Sequence, residues 1–238
     1  MASMTDFSNT LLQTLGSKVA ADLTGKGALV DLPFKLEIYD HGAPLNYVYF
    51  PEGCLFSLVR TSIDGRTVES GLCGYEGAVG LIEACGTRIA SATTIVQVAG
   101  KAWRIPFLAC AELGFRGGRP AQQFFANAEY LSIEARHSAV CRSFHTAQHR
   151  MARWIIEYQR RSGVGADLPM TQELLGDMLG VQRTTVSEIA AGLKARKLIT
   201  YARGKLRVLD QAGLERVACD CIATLAEERA RVRAANAA

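Results

Sequence analysis

A run of polar residues between positions 182 and 188 carries side chains that hydrogen-bond well to bases and phosphates. An arginine can donate two parallel hydrogen bonds to a guanine, while short hydroxyl side chains serve either a base or a phosphate. An acid in the same run can accept from a cytosine amine. The candidate contact residues in this run are Gln182, Arg183, Thr184, Thr185, Ser187 and Glu188.

Two further polar groups flank this run. Thr171 and Gln172 open an apolar helical pattern, and the free N–H groups at a helix start can hold a phosphate. Arg203 and Lys205 lie on either side of a glycine between two β-like runs, which predicts a hairpin with a basic tip. Between positions 171 and 207, seven basic residues outweigh three acidic ones. The whole segment therefore has the charge and the side chains for contacting DNA.

The elements that must position these residues are a helix, a glycine turn, a second helix and a hairpin. Thr171 is a suitable N-cap for the first helix, and Gly180 ends it because glycine adopts a positive φ without strain. Gly176 is small where the two helices must cross. The second helix is predicted from about Gln182 to Arg196, with an inward face of Val186, Ile189, Ala190 and Leu193. This order is that of a winged helix-turn-helix, in which the second helix enters the major groove.

The preceding two thirds of the chain divide into a β-rich and a helical part. Short apolar or alternating runs recur between 28 and 108, and Asp64-Gly65 predicts a hairpin between two of them. Such spacing is typical of a β-sandwich, jelly roll or barrel. A helical pattern follows over 120–161, with a break expected near 136–137, and a long helix of this kind commonly pairs with its copy in a dimer. Residues 5–24 predict one amphipathic helix capped by Thr5 or Asp6.

Composition restricts the class of protein. The chain has 238 residues, 49% of them apolar, and a net charge of +4. Residues 1–150 are neutral, so the whole excess lies in the last third, which suits a polyanionic partner. The longest uncharged stretch, 89–100, is too short to span a membrane, and the N-terminus lacks a secretory signal pattern. A cytoplasmic location is therefore expected, with no membrane partner.

The cysteines and histidines offer few candidate ligands for a metal. Cys219 and Cys221 are the one close cysteine pair, and no histidine lies near it to complete a zinc set. Two small residues near a helix interface are the favoured interpretation of that pair. His145 and His149 lie one helical turn apart and can bind a metal between protomers, although solvated or packing roles are favoured. No metal, haem or iron–sulfur site is expected.

The whole chain resembles the Crp/Fnr family of bacterial transcription regulators, most strongly in TQELLGDMLGVQRTTVSEIAAGLKARKLI and RGKLRVLD. The resemblance implies an α+β architecture: an N-terminal β jelly roll related to cyclic-nucleotide-binding domains, a long dimerisation helix and a C-terminal winged helix-turn-helix. The domains would be 1–119, 120–162 and 163–238. Arg183 falls on the base-reading arginine of the family. Thr184 and Glu188 replace the family's usual Glu and Arg, so a different operator sequence is expected.

The resemblance is weaker at the effector pocket of the β-domain. The corresponding stretch supplies only fragments of a phosphate cradle, namely Glu76, Gly77, Ala78 and Arg88. A cyclic nucleotide bound in the family's usual mode is disfavoured, and no cofactor is firmly implied.

Three functions remain open at this point. The favoured one is a dimeric DNA-binding regulator, with palindromic double-stranded DNA, a second copy of the chain and RNA polymerase as its candidate partners. The alternative is an effector-binding or scaffold protein whose winged helix contacts protein. An enzyme on a jelly-roll scaffold is disfavoured, because the β region contains one histidine, His41, where clustered metal ligands would be needed.

Overall fold

The computed structural model describes residues 7–163, 167–202 and 204–235. No helix within these ranges is long and apolar enough to cross a bilayer. The elements follow in the order α1 (Thr10–Thr14), α2 (Ser17–Gly25), β1 (Ala28–Leu32), β2 (Glu37–Tyr39), β3 (Tyr47–Glu52), β4 (Leu55–Thr61), β5 (Thr67–Cys73), α3 (Leu81–Ala84), β6 (Thr93–Val98), β7 (Gly100–Pro106), α4 (Phe107–Phe115), α5 (Gly118–Phe144), α6 (Ala147–Ser162), β8 (Asp167–Pro169), α7 (Gln172–Leu179), α8 (Arg183–Ala195), β9 (Ile199–Ala202), β10 (Lys205–Val208), α9 (Gln211–Val217) and α10 (Cys221–Ala235).

The N-terminal segment forms two short helices instead of the single helix predicted. Asn9 caps α1 through its side chain, which accepts a hydrogen bond from Leu12 N at 3.0 Å. Gly16 then takes φ +82°, which interrupts the helix before α2 begins. The expected caps Thr5 and Asp6 lie outside the described residues.

Two antiparallel sheets form the β-domain. One has the strand order β1-β7-β3 and the other the order β2-β6-β4-β5. Strands β4 and β5 pair across the predicted Asp64-Gly65 turn, where Gly65 has φ +83°. Phe56, Val96 and Ala102 are buried between the sheets. The predicted N-terminal jelly-roll architecture with a long helix and a C-terminal helix-turn-helix is confirmed.

The long helical region breaks later than predicted. α5 continues without interruption through 136–137, where no glycine or proline disturbs it, so the expected break there is wrong. The break occurs at His145, which has extended backbone angles of φ −110° and ψ 142°. Thr146 then caps α6 by accepting a hydrogen bond from His149 N at 3.4 Å.

α6 joins the β-domain to the winged helix through a shared apolar core. Ile155 lies in a continuous buried cluster with Leu55 of β4 and Leu175 of α7. The Trp154 indole donates to Glu69 Oε1 at 2.6 Å, and the Tyr158 hydroxyl donates to the Gln97 carbonyl at 3.0 Å. The polar ends of these buried aromatic rings are thus satisfied by the β-domain.

The winged helix contains a third strand, β8, and the C-terminal helix α10 packs mainly on the long helix α5. Asp167 lies in β8, which pairs with β10 and places Asp167 in an ion pair with Arg207. Residues 164–166, which precede β8, lie outside the described residues. α10 packs along α5 instead of the winged helix, with the Arg229 guanidinium over the Tyr130 ring.

Candidate nucleic-acid interface

The first helix of the candidate interface begins as its sequence predicts. Thr171 Oγ1 caps α7 by accepting a hydrogen bond from Leu174 N at 3.1 Å. Glu173 lies in the first turn, where a negative charge is favoured by the helix dipole. Thr171 is exposed, so the free end of α7 is accessible from solvent.

The connection from α7 to α8 requires two glycines, Gly176 within α7 and Gly180 at its end, for different reasons. Gly180 has φ +65°, the left-handed conformation that glycine adopts without strain. At Gly176 the backbones approach closely, and a Cβ there would lie 3.0 Å from the Val181 carbonyl oxygen. These two residues fix the angle at which α8 leaves the turn.

The second helix presents the predicted polar run at its start. Gln182 is the N-cap residue, and Arg183 is the first residue of α8. The buried side is formed by Val186, Ala190 and Leu193, as the periodicity predicts, and Ile189 is half-buried. The exposed residues at this end of the helix are Gln182, Arg183, Thr184 and Glu188.

Three of the predicted contact residues are half-buried, namely Gln172, Thr185 and Ser187. Ser187 Oγ lies 2.8 Å from Gln172 Oε1, to which it donates, and 3.0 Å from the Arg183 carbonyl oxygen. This contact holds the starts of α7 and α8 together. Thr185 lines a cleft between the helix-turn-helix and the β4–β5 hairpin. Sequence reasoning assigned these residues to DNA alone, whereas the structure also gives Gln172 and Ser187 a packing role.

The wing supplies one described basic residue at its tip. Gly204 has φ +75° in the turn between β9 and β10, and its carbonyl accepts from Met170 N at 2.8 Å. Lys205 is exposed at the start of β10 and forms no ion pair within the described ranges. Arg203 lies outside the described residues.

The charges around the start of α8 leave Arg183 unpaired within the described residues. No ion pair occupies its guanidinium in the part of the chain that the structure describes. The neighbouring Tyr201 hydroxyl donates to the Met170 carbonyl at 2.7 Å, and burial raises the pKa of Tyr201 to about 12 despite the charge of Arg183. Three exposed cations, Lys194, Arg196 and Lys197, follow at the far end of α8.

The β-domain contacts the helix-turn-helix directly. A Cβ at Gly180 would lie 3.2 Å from Val68 Cγ2 of β5. Ser57 Oγ of β4 lies 3.3 Å from Met178 Sδ of α7. The β4–β5 hairpin therefore supports the turn that orients α8.

A cavity of about 230 Å³ lies between the β-domain and α5. Its walls are mostly apolar, and its polar groups include Arg60 and Glu83. The Arg60 guanidinium donates to the Ser91 carbonyl at 2.7 Å. Arg60 was not among the predicted residues, because no local motif marks it.

The four predicted effector residues do not form a common site. Ala78 lines the cavity, whereas a Cβ at Gly77 would lie 2.6 Å from Asn127 Oδ1 of α5. Arg88 is exposed, with its guanidinium 4.8 Å from the centre of the Phe107 ring.

The side chain of Glu76 is buried in an ion pair with Arg161 of α6. Burial raises the pKa of Glu76, but the charges of Arg161 and Arg229 outweigh this effect and lower it overall. Glu76 thus serves to join elements of the fold.

The expectation that no histidine lies near Cys219 and Cys221 is wrong. His145, at the break between α5 and α6, places Nδ1 3.4 Å from Cys221 Sγ. The separation of 76 residues along the chain concealed this proximity. His145 is thereby engaged within its own chain, and His149 is not part of the group.

Comparison with known proteins supports the same architecture. Residues 149–217 match the family model described as a Crp-like helix-turn-helix domain. FixK2 from Bradyrhizobium japonicum is 17% identical, with a TM-score of 0.69 over 81% of this chain and 98% of that chain. A CRP-family transcriptional regulator from Thermus thermophilus is 18% identical, with a TM-score of 0.69 over 79% of this chain and 96% of that chain. No curated protein matches the chain. The predicted resemblance to Crp/Fnr regulators is confirmed.

Proposed function

We propose that this chain, which carries a Crp-like helix-turn-helix domain over residues 149–217, is a transcription regulator that binds palindromic double-stranded DNA as a homodimer. The observation that carries the proposal is the start of α8. Gln182, Arg183, Thr184 and Glu188 are exposed together there, in the position from which a recognition helix reaches base edges. The exposed Thr171 and Lys205 flank this set and suit the phosphate backbone.

Two exposed residues of α8 are given distinct roles in this function. Arg183 donates two hydrogen bonds to a guanine, and Glu188 accepts from a cytosine amine. Glu188 also repels nearby phosphates, so it favours sequences that supply the amine. The operator is therefore expected to differ from those read by family members with arginine at this position.

The dimer is proposed to form through α5. Three large apolar side chains on this helix are strongly exposed, namely Phe125 at 62%, Val140 at 46% and Phe144 at 79%. Packing α5 against its copy removes them from water and places two recognition helices on one face. Each protomer then reads one half-site, and the half-site centres are about one helical turn apart.

The β-domain is proposed to control the DNA-binding unit. Its β4–β5 hairpin contacts the α7–α8 turn, so a change at the cavity beside α5 can alter the orientation of α8. Because the predicted phosphate-binding residues are dispersed, the proposal does not include a cyclic nucleotide bound in the usual mode. We place the protein in the cytoplasm, without catalytic activity, and RNA polymerase is its candidate protein partner.

Selection of genomic DNA fragments by the purified full-length protein tests the function. Enrichment of a palindrome by a dimeric protein is expected. If a folded dimer enriches no sequence, the selection is repeated with candidate nucleotides, and failure there overturns the proposal. Capture of protein without any DNA enrichment would instead support a winged helix that contacts protein.

A further inference from the structure

Three cysteines and one histidine meet where the dimerisation helix breaks. Cys141 lies in the last turn of α5, and His145 follows one turn later, with its backbone N–H bonded to the Cys141 carbonyl at 3.0 Å. Cys219 and Cys221 lie at the turn between α9 and α10. We call these four residues the thiol–imidazole cluster. Its four ligand atoms all lie within 4.8 Å of one another.

Two separations within the cluster match those of a tetrahedron around one small ion. Zinc–sulfur bonds of about 2.3 Å in a tetrahedron place two sulfurs about 3.8 Å apart, and a sulfur and a nitrogen about 3.5 Å apart. The observed separations are 3.7 Å between Cys141 Sγ and Cys219 Sγ, and 3.4 Å between Cys221 Sγ and His145 Nδ1. Three thiols and an imidazole are a donor set that structural zinc sites use. We propose that the thiol–imidazole cluster binds a single Zn²⁺ ion.

The surroundings of the cluster also suit a metal. The three cysteines are buried, with at most 7% of any residue exposed. His145 Nε2 lies 3.4 Å from Asp220 Oδ1, so the nitrogen that faces away from the sulfurs meets a carboxylate. Such an outer carboxylate fixes the tautomer and orientation of a metal-binding histidine.

A cation lies beside the cluster, where the occupied site would carry a negative charge. Binding releases the three thiol protons to solvent, and three thiolates with one Zn²⁺ leave a net charge of −1. Arg153 of α6 lines the same small cavity as Cys141, so its guanidinium lies near the cluster. Arg153 is itself paired with Glu157 at 3.1 Å, which holds it beside the cluster.

The location of the site connects the long helical region to the winged helix. Its ligands come from the break between α5 and α6 and from the turn that follows the winged helix. An ion bound there fixes the orientation of the winged helix relative to α5. This consequence rests on the proposed function: loss of the ion is expected to weaken DNA binding by about fivefold or more.

Metal content of the full-length protein tests the site without reference to DNA. The reduced protein is reconstituted with Zn²⁺, freed of excess metal, and measured by elemental analysis. One zinc per chain is expected in the wild type and in the control Cys85→Ser, which alters a cysteine outside the cluster. Less than about half of that is expected in Cys219→Ser and His145→Ala. No stoichiometric zinc in the folded wild type overturns the proposal, as does unchanged zinc in both cluster variants.

Cobalt and thiol labelling keep the test valid if a variant misfolds. Wild-type protein with Co²⁺ is expected to show the visible absorption of a tetrahedral site with thiolate ligands. Zn²⁺ is expected to protect Cys219 and Cys221 from alkylation, and a chelator to remove the protection. The proposal is overturned if the isolated protein contains a Cys141–Cys219 disulfide and still takes up no zinc after that disulfide is reduced. Iron with acid-labile sulfide at these residues overturns it as well.

DNA binding of the metal-loaded and metal-free protein then tests the consequence. Weaker binding without the metal supports the coupling, and equal binding overturns it. If the zinc-loaded protein binds no DNA under any condition, the proposed function fails while the metal site stands.

Discussion

Arg161 and Glu76 form a buried ion pair that joins the end of α6 to the loop after β5, with Arg161 Nε 2.7 Å from Glu76 Oε1. The same guanidinium also contacts Glu134 of α5 and the Leu72 carbonyl. One side chain therefore connects the sheet, the long helix and the helix that leads into the winged domain. The pKa of Arg161 is raised well above its usual value, because the two carboxylates outweigh the cost of burial.

Removing this guanidinium is expected to destabilise the protein strongly. Arg161→Gln removes the cation paired with the buried Glu134 and leaves Glu76 with only its longer contact to Arg229 at 3.8 Å. Breaking a buried pair in this way costs about 3–5 kcal/mol. Urea unfolding of the two forms measures the difference. The adjacent Arg160 makes a half-exposed ion pair with Glu215, so Arg160→Gln is the matched control, with an expected loss of about 0–1 kcal/mol. Equal losses of unfolding free energy in the two variants would contradict the larger stabilisation expected from the buried pair.

Stability is expected to fall as pH rises toward 8. Burial raises the pKa of Glu69 from 4.5 to about 8. Hydrogen bonds from Ser57 and Trp154 and the charge of Arg153 lower this pKa, while the charge of Glu134 raises it further. The folded protein thus holds this proton over an interval in which the unfolded chain has released it. The contribution is complete below 4.5 and is lost as pH rises through about 8.

The Glu69→Gln variant isolates this effect. An amide cannot ionise, so the wild type should lose stability relative to the variant between pH 4.5 and 8. Urea midpoints measured across that interval give the difference. Parallel pH profiles for the two proteins would show that Glu69 does not hold the proton.

Arg183→Ala is expected to relax sequence preference. Loss of a two-hydrogen-bond contact to guanine costs about 1–3 kcal/mol of discrimination at that base pair. Competition binding with single-base operator variants measures it. Arg196→Ala, at the far end of α8, is the matched control and should keep the preference. An operator preference unchanged by Arg183→Ala would refute the role given to this residue.

Lys205→Ala is expected to weaken binding to all sequences alike. Removing one phosphate contact lowers affinity uniformly and reduces the salt dependence by about one contact. Titrations at several salt concentrations provide the slope, with Lys18→Ala on α2 as the control. A loss confined to one operator sequence would contradict a backbone contact.

Phe125→Asp is expected to shift the protein from dimer to monomer. The substitution places a charge in the proposed α5 contact, where it cannot be solvated. Sedimentation velocity measures the change. Phe115→Asp is the comparison, because Phe115 is 73% exposed on α4, and it should stay dimeric. If the Phe125→Asp protein remained dimeric, this face of α5 would be excluded as the dimer contact.

Local signals in the sequence determined the candidate DNA interface. Thr171 caps the helix that begins after it, and Gly180 ends that helix, because capping and left-handed turns depend on a few neighbouring residues. The inward face of α8 follows from periodicity alone. The break of the long helix was misplaced for a related reason: the Thr146 cap is a weak signal within an otherwise continuous helical pattern.

Long-range packing alone decided what the remaining polar groups do. Glu76 was assigned to an effector pocket by its sequence context, but its partner Arg161 stands 85 residues away. Cys141 and Cys219 are 78 residues apart, and His145 meets Cys221 across 76. No local propensity encodes such meetings. They arise because α5 packs against β5, α6 and α10, and that packing brings buried ionisable groups from distant parts of the chain within bonding distance.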